Sequence, residues 1–391
     1  MRKISGSLVC PVSSPPIRRG VIVLDSDNTV VEVRGPLEKE EANIEYYNGI
    51  LIPSFVNAHC HLELSHLKGV FPTHLGMAGF IETITEKRDA DESFIDHAIQ
   101  SADRYMFDSG ISLVGDISNG ASTLRAKANS KITYHTFVEA FASDRNDAQK
   151  VIDEKKLIVE EAHRLNLLAS MTLHAPYSIS PQLVSAFAKE LTHTDMISFH
   201  LFESVEEIDY MENNAGPLAA LYKKQCRKEN ALSQWGVNPY SNIFNAIPSE
   251  NKMLAIHSGQ ITEAYLALLQ NRFKETWFVL CPKSNQYIHN QLPPFNFFRS
   301  NSEKIALGTD SLASNNTLSI LEEMKSIGSS NSNIAFEEIL RWATLNGARA
   351  LGQDSVFGSF EEKKKPGVLL LTGIDTINPI LSETTKIRRL V

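Results

Sequence analysis

Two histidines separated by one residue, His59 and His61, end an apolar run that begins at Leu51. If this run is a strand, alternate side chains share a face, so both imidazoles lie side by side while Cys60 points away. Two imidazoles at the end of a buried strand suit a shared metal ion. A bare His-x-His motif is short, however, and alone is more typical of surface histidines at a loop entrance.

Other predicted strands also end in a histidine or an acid. These residues are His174, His200, Glu203, His257 and Asp310. A closed parallel barrel brings the C-terminal ends of all its strands to one face, where such enzymes keep their active sites. Alone, His174 or His257 would be a satisfied core or loop histidine. The set together predicts that residues of metal-ligand or acid/base type converge on one face. Seven further histidines are assigned no role: His66, His74, His97, His135, His163, His193 and His289.

The elements that must position these residues alternate between strand and helix patterns about eight times between residues 51 and 327. Such alternation implies parallel strands joined by helical crossovers, and eight units predict an α/β fold with a (β/α)8 TIM barrel. A doubly wound open sheet is the alternative, but no Gly-x-Gly-x-x-Gly turn opens a predicted helix. Residues 229–250 are a candidate lid, and residues 328–333 are predicted to form a loop.

Short β-type segments separated by turn residues occur at both ends of the chain. They predict a small composite β-sandwich domain built from residues 1–52 and 358–391, beside a metal-dependent barrel of residues 53–357.

Composition limits the class of protein. The chain has 391 residues, of which 42% are hydrophobic and 21% charged, as in ordinary soluble globular proteins. The net charge of −8, without a basic run, argues against nucleic-acid binding. Four widely spaced cysteines argue against a disulfide framework and a thiolate zinc site. No apolar stretch has the length of a membrane span and the N-terminus does not look like a signal peptide, so we expect a cytoplasmic protein.

Taken together, the motifs resemble the amidohydrolase superfamily over almost the whole chain. The residues that carry the resemblance are 53–58, His59-Cys60-His61, His200 with Glu203, His257, 307–311 and 343–348. One departure is Pro366-Gly367, where an Ala-Asp pair commonly stands. Residues 174–178, 200–204 and 281–285 look like the metal-dependent deaminase and chlorohydrolase branch. Residues 61–69 are similar to enzymes that deaminate aminodeoxyfutalosine or adenosine-like nucleosides.

The resemblance implies that His59, His61, His200 and Asp310 hold one divalent metal ion and leave room for a water. Zinc is the default expectation, and iron would accept the same ligands. Two-metal members of the superfamily use a carboxylated lysine at the end of the fourth strand. This chain has His174 there, so a single ion is predicted.

The implied reaction is attack of metal-bound hydroxide on a ring carbon of an aminopurine nucleoside-like substrate, with release of ammonia. The substrates considered are aminodeoxyfutalosine, adenosine and S-adenosylhomocysteine. Asp310 would take the proton of the water, Glu203 would protonate the ring nitrogen, and His257 would polarise the attacked centre. The alternative for Glu203 is a structural role, as an acid at a helix N-terminus whose negative charge complements the helix dipole.

The predicted substrate contacts are His174, Glu63, Ser311 and Asn285. A buried structural carboxylate is an equally good reading of Glu63, and turn or cap roles are the better readings of Ser311 and Asn285. The aromatic side chains considered for stacking on a purine are Phe80, Trp235 and Tyr240, with core or lid packing as the alternative.

Two rival functions remain open. One is a chlorohydrolase, or a hydrolase of a cyclic amide or amidine, on the same scaffold. The other is a non-catalytic binding relative, which should have lost metal ligands, whereas this chain keeps all four. The expected partner is a small-molecule substrate, with no nucleic acid and no membrane. A homodimer is left open, since relatives in the resembled superfamily are often dimers.

Overall fold

The computed structural model describes residues 1–36, 42–142, 144–225, 227, 230–331 and 333–391. Within them the strands are β1 (Arg2–Val9), β2 (Ile17–Arg18), β3 (Val21–Leu24), β4 (Val30–Arg34), β5 (Ile44–Ile52), β6 (Phe55–Cys60), β7 (Ile111–Ser118), β8 (Thr133–Ala140), β9 (Leu168–Leu173), β10 (Met196–Leu201), β11 (Lys252–His257), β12 (Thr276–Leu280), β13 (Ile305–Leu307), β14 (Leu369–Thr372) and β15 (Lys386–Arg389).

The helices are α1 (Gly76–Lys87), α2 (Glu92–Asp108), α3 (Leu124–Ala128), α4 (Ala148–Arg164), α5 (Pro181–Glu190), α6 (Val205–Asn213), α7 (Gly216–Lys224), α8 (Ala231–Trp235), α9 (Pro239–Ala246), α10 (Glu263–Arg272), α11 (Pro282–His289), α12 (Phe295–Asn301), α13 (Ile320–Ser330), α14 (Phe336–Arg341) and α15 (Gly347–Ala350). A π-helical turn, Trp342–Asn346, joins α14 to α15. None of the helices in the described ranges is both long and apolar enough to cross a membrane.

Strands β6 to β13 form the barrel. They make two four-stranded parallel sheets, ordered β6-β7-β8-β9 and β10-β11-β12-β13. Backbone hydrogen bonds close both seams: His200 N donates to His174 O at 3.0 Å, and Thr309 N donates to His59 O at 3.0 Å. The prediction of a closed (β/α)8 barrel is therefore confirmed.

Alternation along the strands explains why this barrel is stable. In β11, Leu254 and Ile256 belong to the apolar cluster that fills the barrel, while Met253 and Ala255 belong to the larger cluster that includes the helices. Both faces of a barrel strand are buried in this way, so the strands read as near-continuous apolar runs. The histidines and carboxylates of the site lie at or just after the C-terminal ends of these strands.

Strands from both termini form the small β-domain next to the barrel. They make one sheet in the order β15-β14-β5-β1-β3-β4, with β2 paired to β1. The predicted small β-domain built from both termini is therefore present, and its strands are hydrogen-bonded into one sheet, because β5 pairs with both β1 and β14. Its own apolar cluster includes Ile4, Ile22, Leu370 and Phe360. The proposed boundaries at residues 52/53 and 357/358 stay a prediction.

Residues 205–228 have a sequence pattern that predicts mostly helix, and the structure has α6 and α7 there, separated at Asn214 with a left-handed φ of 50°. Residues 226 and 228 lie outside the described residues. Two other local predictions need correction. Residues 328–330 continue α13 and are not a loop. In the candidate lid, the described residues 230–250 form α8 and α9, which bury Trp235 and Tyr240 in the core. No residue of 230–250 is among those that line the cavity described below, and residue 229 lies outside the described residues.

Candidate active site

Three of the predicted metal ligands lie together at the C-terminal mouth of the barrel. His59 is near the end of β6, and His61 follows that strand directly. The two Nε2 atoms are 3.2 Å apart. Asp310 Oδ1 lies 3.3 Å from His61 Nε2 and 3.6 Å from His59 Nε2. All three side chains are buried, so a small volume contains two imidazoles and a carboxylate facing one another.

The fourth predicted ligand, His200, joins this cluster from β10. Its ring centroid is 4.9 Å from that of His59. His200 Nδ1 lies 2.9 Å from the backbone oxygen of His174 and donates to it, which leaves the Nε2 lone pair free. Burial and the neighbouring histidines hold the pKa of His200 well below its usual range. Burial lowers the pKa of His61 to about 3, so both rings are neutral at pH 7, the form in which an imidazole can bind a metal ion.

These residues fit a divalent ion. Candidate ligand atoms of His59, His61 and Asp310 lie within 4.8 Å of one another, as do those of His59, His200 and His257. His59 Nδ1 is buried without a hydrogen-bond partner. Three imidazoles and one carboxylate are donors that zinc or iron accepts. The structure thus brings the four predicted ligands together, and their role as ligands stays a proposal.

Asp310 is held for this task by two hydroxyl groups. Ser284 and Ser314 each donate from Oγ to Asp310 Oδ2, both at 2.6 Å. The other oxygen, Oδ1, therefore faces the histidines. Asp310 has a left-handed φ of 58°, and His257 has a φ of 63°. Such backbone strain is characteristic of functional sites, where the surrounding structure imposes it.

Glu203 follows β10 and turns into the site. It is buried, with Oε1 at 3.7 Å from His257 Nε2 and 3.6 Å from His289 Nε2. Burial acts to raise the pKa of Glu203, but the two histidines outweigh it and hold the pKa below its usual value. Ser204 caps helix α6, with its Oγ accepting from Glu207 N at 3.1 Å. Glu203 therefore contacts the two imidazoles and does not serve as the cap.

His257 is fixed from behind by Asn285. The distance between His257 Nδ1 and Asn285 Oδ1 is 3.2 Å. Asn285 is not among the residues that line the cavity described below, and its observed contact is with His257; its role as a substrate contact stays a prediction. Sequence reasoning missed His289, which was assigned no role. The available signal was its spacing from Asn285, because residues four apart on α11 share one helix face.

A cavity of about 560 Å³ opens beside the four proposed metal ligands, His59, His61, His200 and Asp310, which are called the metal-ligand cluster below. One wall is the apolar face of α1, which presents Met77, Phe80, Ile81 and Ile84. Of the three aromatic residues considered for stacking, only Phe80 lines the cavity. The volume suits a small organic molecule, since such sites usually enclose roughly 300–1,000 Å³.

The cavity lining also includes two of the predicted substrate contacts, His174 and Ser311. His174 Nδ1 lies 2.7 Å from Ser178 Oγ, which also donates to Ala175 O at 2.9 Å. Because a hydroxyl has one proton, His174 Nδ1 is the donor to Ser178. The Nε2 atom of His174 then carries a free lone pair.

Glu63, another predicted substrate contact, lines the cavity beside Arg88. Glu63 Oε2 accepts from Asn119 N at 2.9 Å, whereas buried Oε1 has no hydrogen-bond partner. The Arg88 guanidinium is 3.6 Å from Oε1. Glu139 is a second buried carboxyl group on this cavity, and burial raises its pKa to about 7. Sequence reasoning missed Arg88, Asn119 and Glu139, which follow no motif and reach the cavity only through the fold.

Residues 50–389 match the family model described as "Amidohydrolase family". An adenosine deaminase of Helicobacter pylori is 26% identical over 327 residues, which are 82% of this chain and 78% of that protein. A 5-methylthioadenosine/S-adenosylhomocysteine deaminase of Pyrococcus horikoshii is 26% identical over 366 residues, covering 89% of this chain and 81% of the relative.

Solved structures show the same fold. Aminofutalosine deaminase of Helicobacter pylori, in complex with methylthio-coformycin, has a TM-score of 0.82 at 23% identity and covers 96% of this chain and 93% of that one. Atrazine chlorohydrolase of Arthrobacter aurescens, complexed with zinc, has a TM-score of 0.76 at 15% identity and covers 100% and 93%. At these identities the likeness is one of fold alone.

Proposed function

Because the chain belongs to the amidohydrolase family, we propose that it is a metal-dependent hydrolytic deaminase of an adenine-bearing nucleoside. The substrate class includes adenosine, S-adenosylhomocysteine and aminodeoxyfutalosine, in agreement with the names of its relatives. One observation carries the proposal: a buried carboxylate, Glu203, lies between two imidazoles on a nucleoside-sized cavity whose floor is the metal-ligand cluster.

The ion would be held by His59, His61, His200 and Asp310. Zinc is supported by the zinc-bound chlorohydrolase of the same fold, and iron is the alternative. When bound, the ion would lower the pKa of a water from about 15.7 towards about 7, which supplies the nucleophile at neutral pH.

The reaction replaces an amino group by oxygen. Water gives its oxygen to the ring carbon that bears the amino group, and the bond from that carbon to the amine nitrogen breaks. One proton of the water ends on the ring nitrogen and the other on the departing ammonia. Both transfers need a group that first accepts a proton and then donates it.

Glu203 has the properties of this group. Its pKa is below the usual value, so it is ionised in the free protein and accepts the first proton. It then donates to the ring nitrogen. His257, held at Nδ1 by Asn285, orients the attacked centre. Asp310 Oδ1 takes the other proton of the water and passes it to the departing amine, which leaves as ammonia. General acid–base help of this kind contributes about 10² to 10⁴-fold in rate.

The rest of the cavity would hold the nucleoside. The apolar face of α1 provides contact for the purine and its substituents. Glu63 Oε1, which lies 3.6 Å from the Arg88 guanidinium but accepts no hydrogen bond from the described residues, would accept one from a sugar hydroxyl. His174 Nε2 and Ser311 are the remaining proposed substrate contacts.

The test is release of ammonia from a panel of purified compounds: adenosine, 5-methylthioadenosine, S-adenosylhomocysteine, aminodeoxyfutalosine, guanine and cytosine. The proposal predicts turnover of at least one adenine nucleoside, with loss of the adenine absorbance in parallel. A chlorotriazine with a chloride assay reports the rival chlorohydrolase reaction. Chloride release without ammonia from any of the nucleosides would overturn the proposal in favour of the rival.

A further inference from the structure

Helix α6 carries two adjacent glutamates, Glu206 and Glu207, that the mechanism above does not use. Glu207 is fully buried and Glu206 is partly buried. Each carboxylate accepts two backbone hydrogen bonds, and the two residues serve different segments of the chain. This arrangement connects the first turn of α6 both to Glu203 and to the cavity wall.

Glu207 holds the backbone that carries Glu203. Its Oε1 accepts from Phe202 N at 2.9 Å and its Oε2 from Glu203 N at 3.0 Å. Tyr240 Oη adds a third donor, at 3.0 Å from Oε1. Phe202 has a left-handed φ of 52°, which costs energy for a bulky residue and persists only where other contacts impose it. The carboxylate of Glu207 supplies such contacts one residue before the catalytic side chain.

Glu206 holds the start of α1. Its two oxygens accept from Met77 N at 3.1 Å and Ala78 N at 2.9 Å. The residue that precedes α1, Leu75, provides no side-chain cap. Glu206 thus caps the helix from outside and adds a negative charge at its positive end. Gly76, at a φ of 67°, leaves the space for this contact, because a Cβ atom there would collide with Glu206 Oε1.

We propose that Glu207 is the positioning residue of Glu203 and that Glu206 is the positioning residue of the cavity wall. Although the two residues are neighbours on one helical turn, Glu207 then affects turnover and Glu206 affects substrate binding. The assignment of turnover to Glu203 rests on the proposed function. The hydrogen-bond contacts themselves do not, so they can be tested without a substrate.

Glutamine substitutions separate the two roles. Glutamine has nearly the shape of glutamate but offers one acceptor oxygen and one NH2 donor. At either position, glutamine therefore keeps one backbone hydrogen bond and loses the other, because its NH2 group then faces a backbone N–H, which is also a donor. Glu207→Gln is expected to lower kcat about 10- to 100-fold with KM within about twofold, as expected for a displaced catalytic group.

Glu206→Gln is expected to raise KM about three- to tenfold with kcat within about twofold, because the cap of the wall helix is weakened. Glu212→Gln is the matched control. Glu212 lies on the same helix, is exposed, and accepts one hydrogen bond from Tyr265 Oη at 2.6 Å. Both kinetic constants should stay unchanged in this control variant.

Amide hydrogen exchange provides the second readout. Glu207→Gln should speed exchange at the amides of Phe202 and Glu203 and leave Met77 and Ala78 unchanged. Glu206→Gln should do the reverse. If Glu207→Gln does not fold, Tyr240→Phe replaces it, because this variant removes only the hydroxyl group that donates to Glu207. A two- to fivefold fall in kcat is then expected, which corresponds to roughly the free energy of one modest hydrogen bond.

The outcomes are distinct. A wild-type protein that turns over no compound of the panel overturns the proposed function, and exchange then decides on the positioning contacts. The division of roles is wrong if both glutamine variants change the same kinetic constant. It is also wrong if each variant changes amide exchange at both segments, 202–203 and 77–78, or at neither. An unchanged kcat in a folded Glu207→Gln, or in Tyr240→Phe where that variant replaces it, also overturns the positioning of Glu203.

Discussion

Replacing Glu203 by glutamine tests the assigned proton carrier directly. The substitution keeps the size of the side chain and removes its ability to accept and donate a proton. In the structure, the carboxylate of Glu203 contacts His257 and His289. Among the described residues, it forms no ion pair within 4.0 Å with the imidazole of a proposed metal ligand. Metal content is therefore expected to stay at the wild-type level.

The size of the effect follows from the environment of this carboxylate. General acid–base catalysis is worth about 10² to 10⁴-fold in rate, or roughly 2.7 to 5.4 kcal/mol at about 1.36 kcal/mol per factor of ten. Glu203 is buried, so bulk water does not readily replace it as a proton carrier. We therefore expect kcat to fall about 10³ to 10⁴-fold. The wall helix α1 is untouched, so KM should stay within about threefold.

The assay is steady-state release of ammonia, measured together with metal content on the same preparation. Glu212→Gln, an exposed substitution of the same kind, is the control for handling and expression. Full activity of Glu203→Gln would refute the proton-carrier role. Loss of the metal in parallel with activity would show that the side chain supports the ion, and the kinetic argument would then fail.

Three further predictions concern other groups. His61→Asn should lose bound metal and turnover together, measured by elemental analysis. His289→Gln removes a partner that lowers the pKa of Glu203, so the acid limb of kcat should move to higher pH, as a pH–rate profile would show. Lys127→Met leaves Asp116 buried without the ammonium that contacts it at 2.6 Å. Unfolding free energy should fall by about 3 to 5 kcal/mol in denaturant titrations, and Asp116→Asn in the same chain should restore part of it.

The barrel was predictable because its strands are short apolar runs that recur with helical segments between them. The histidines of the site were predictable for the same reason: His59, His200 and His257 each lie at or next to the last residue of such a strand. Once the fold is a closed barrel, these positions must meet on one face. Hydrophobic pattern and topology together therefore predicted that these residues meet, whereas the set of four metal ligands came from the resemblance to the amidohydrolase superfamily.

The remaining parts of the site depend on packing that no local pattern records. His289 ends α11, and its approach to Glu203 depends on how that helix lies over the barrel. The polar segment 229–250 suggested a lid, yet its Trp235 and Tyr240 are buried in the core, which was one of the two packing alternatives for these aromatic residues. Asn285 lies in a motif of the resembled superfamily, but only the structure shows that it contacts His257. Side-chain direction, and not residue type, decides these cases.

The central claim, a hydrolytic deaminase that uses one divalent ion, is tested most directly by metal titration of activity. Metal-free protein, prepared with a chelator, is titrated with zinc, and in parallel with ferrous iron under anaerobic conditions, while ammonia release from the preferred nucleoside is recorded. The account predicts negligible turnover without metal and a linear rise that saturates at one ion per chain. Full turnover in the metal-free protein, or saturation only at two ions per chain, would contradict it.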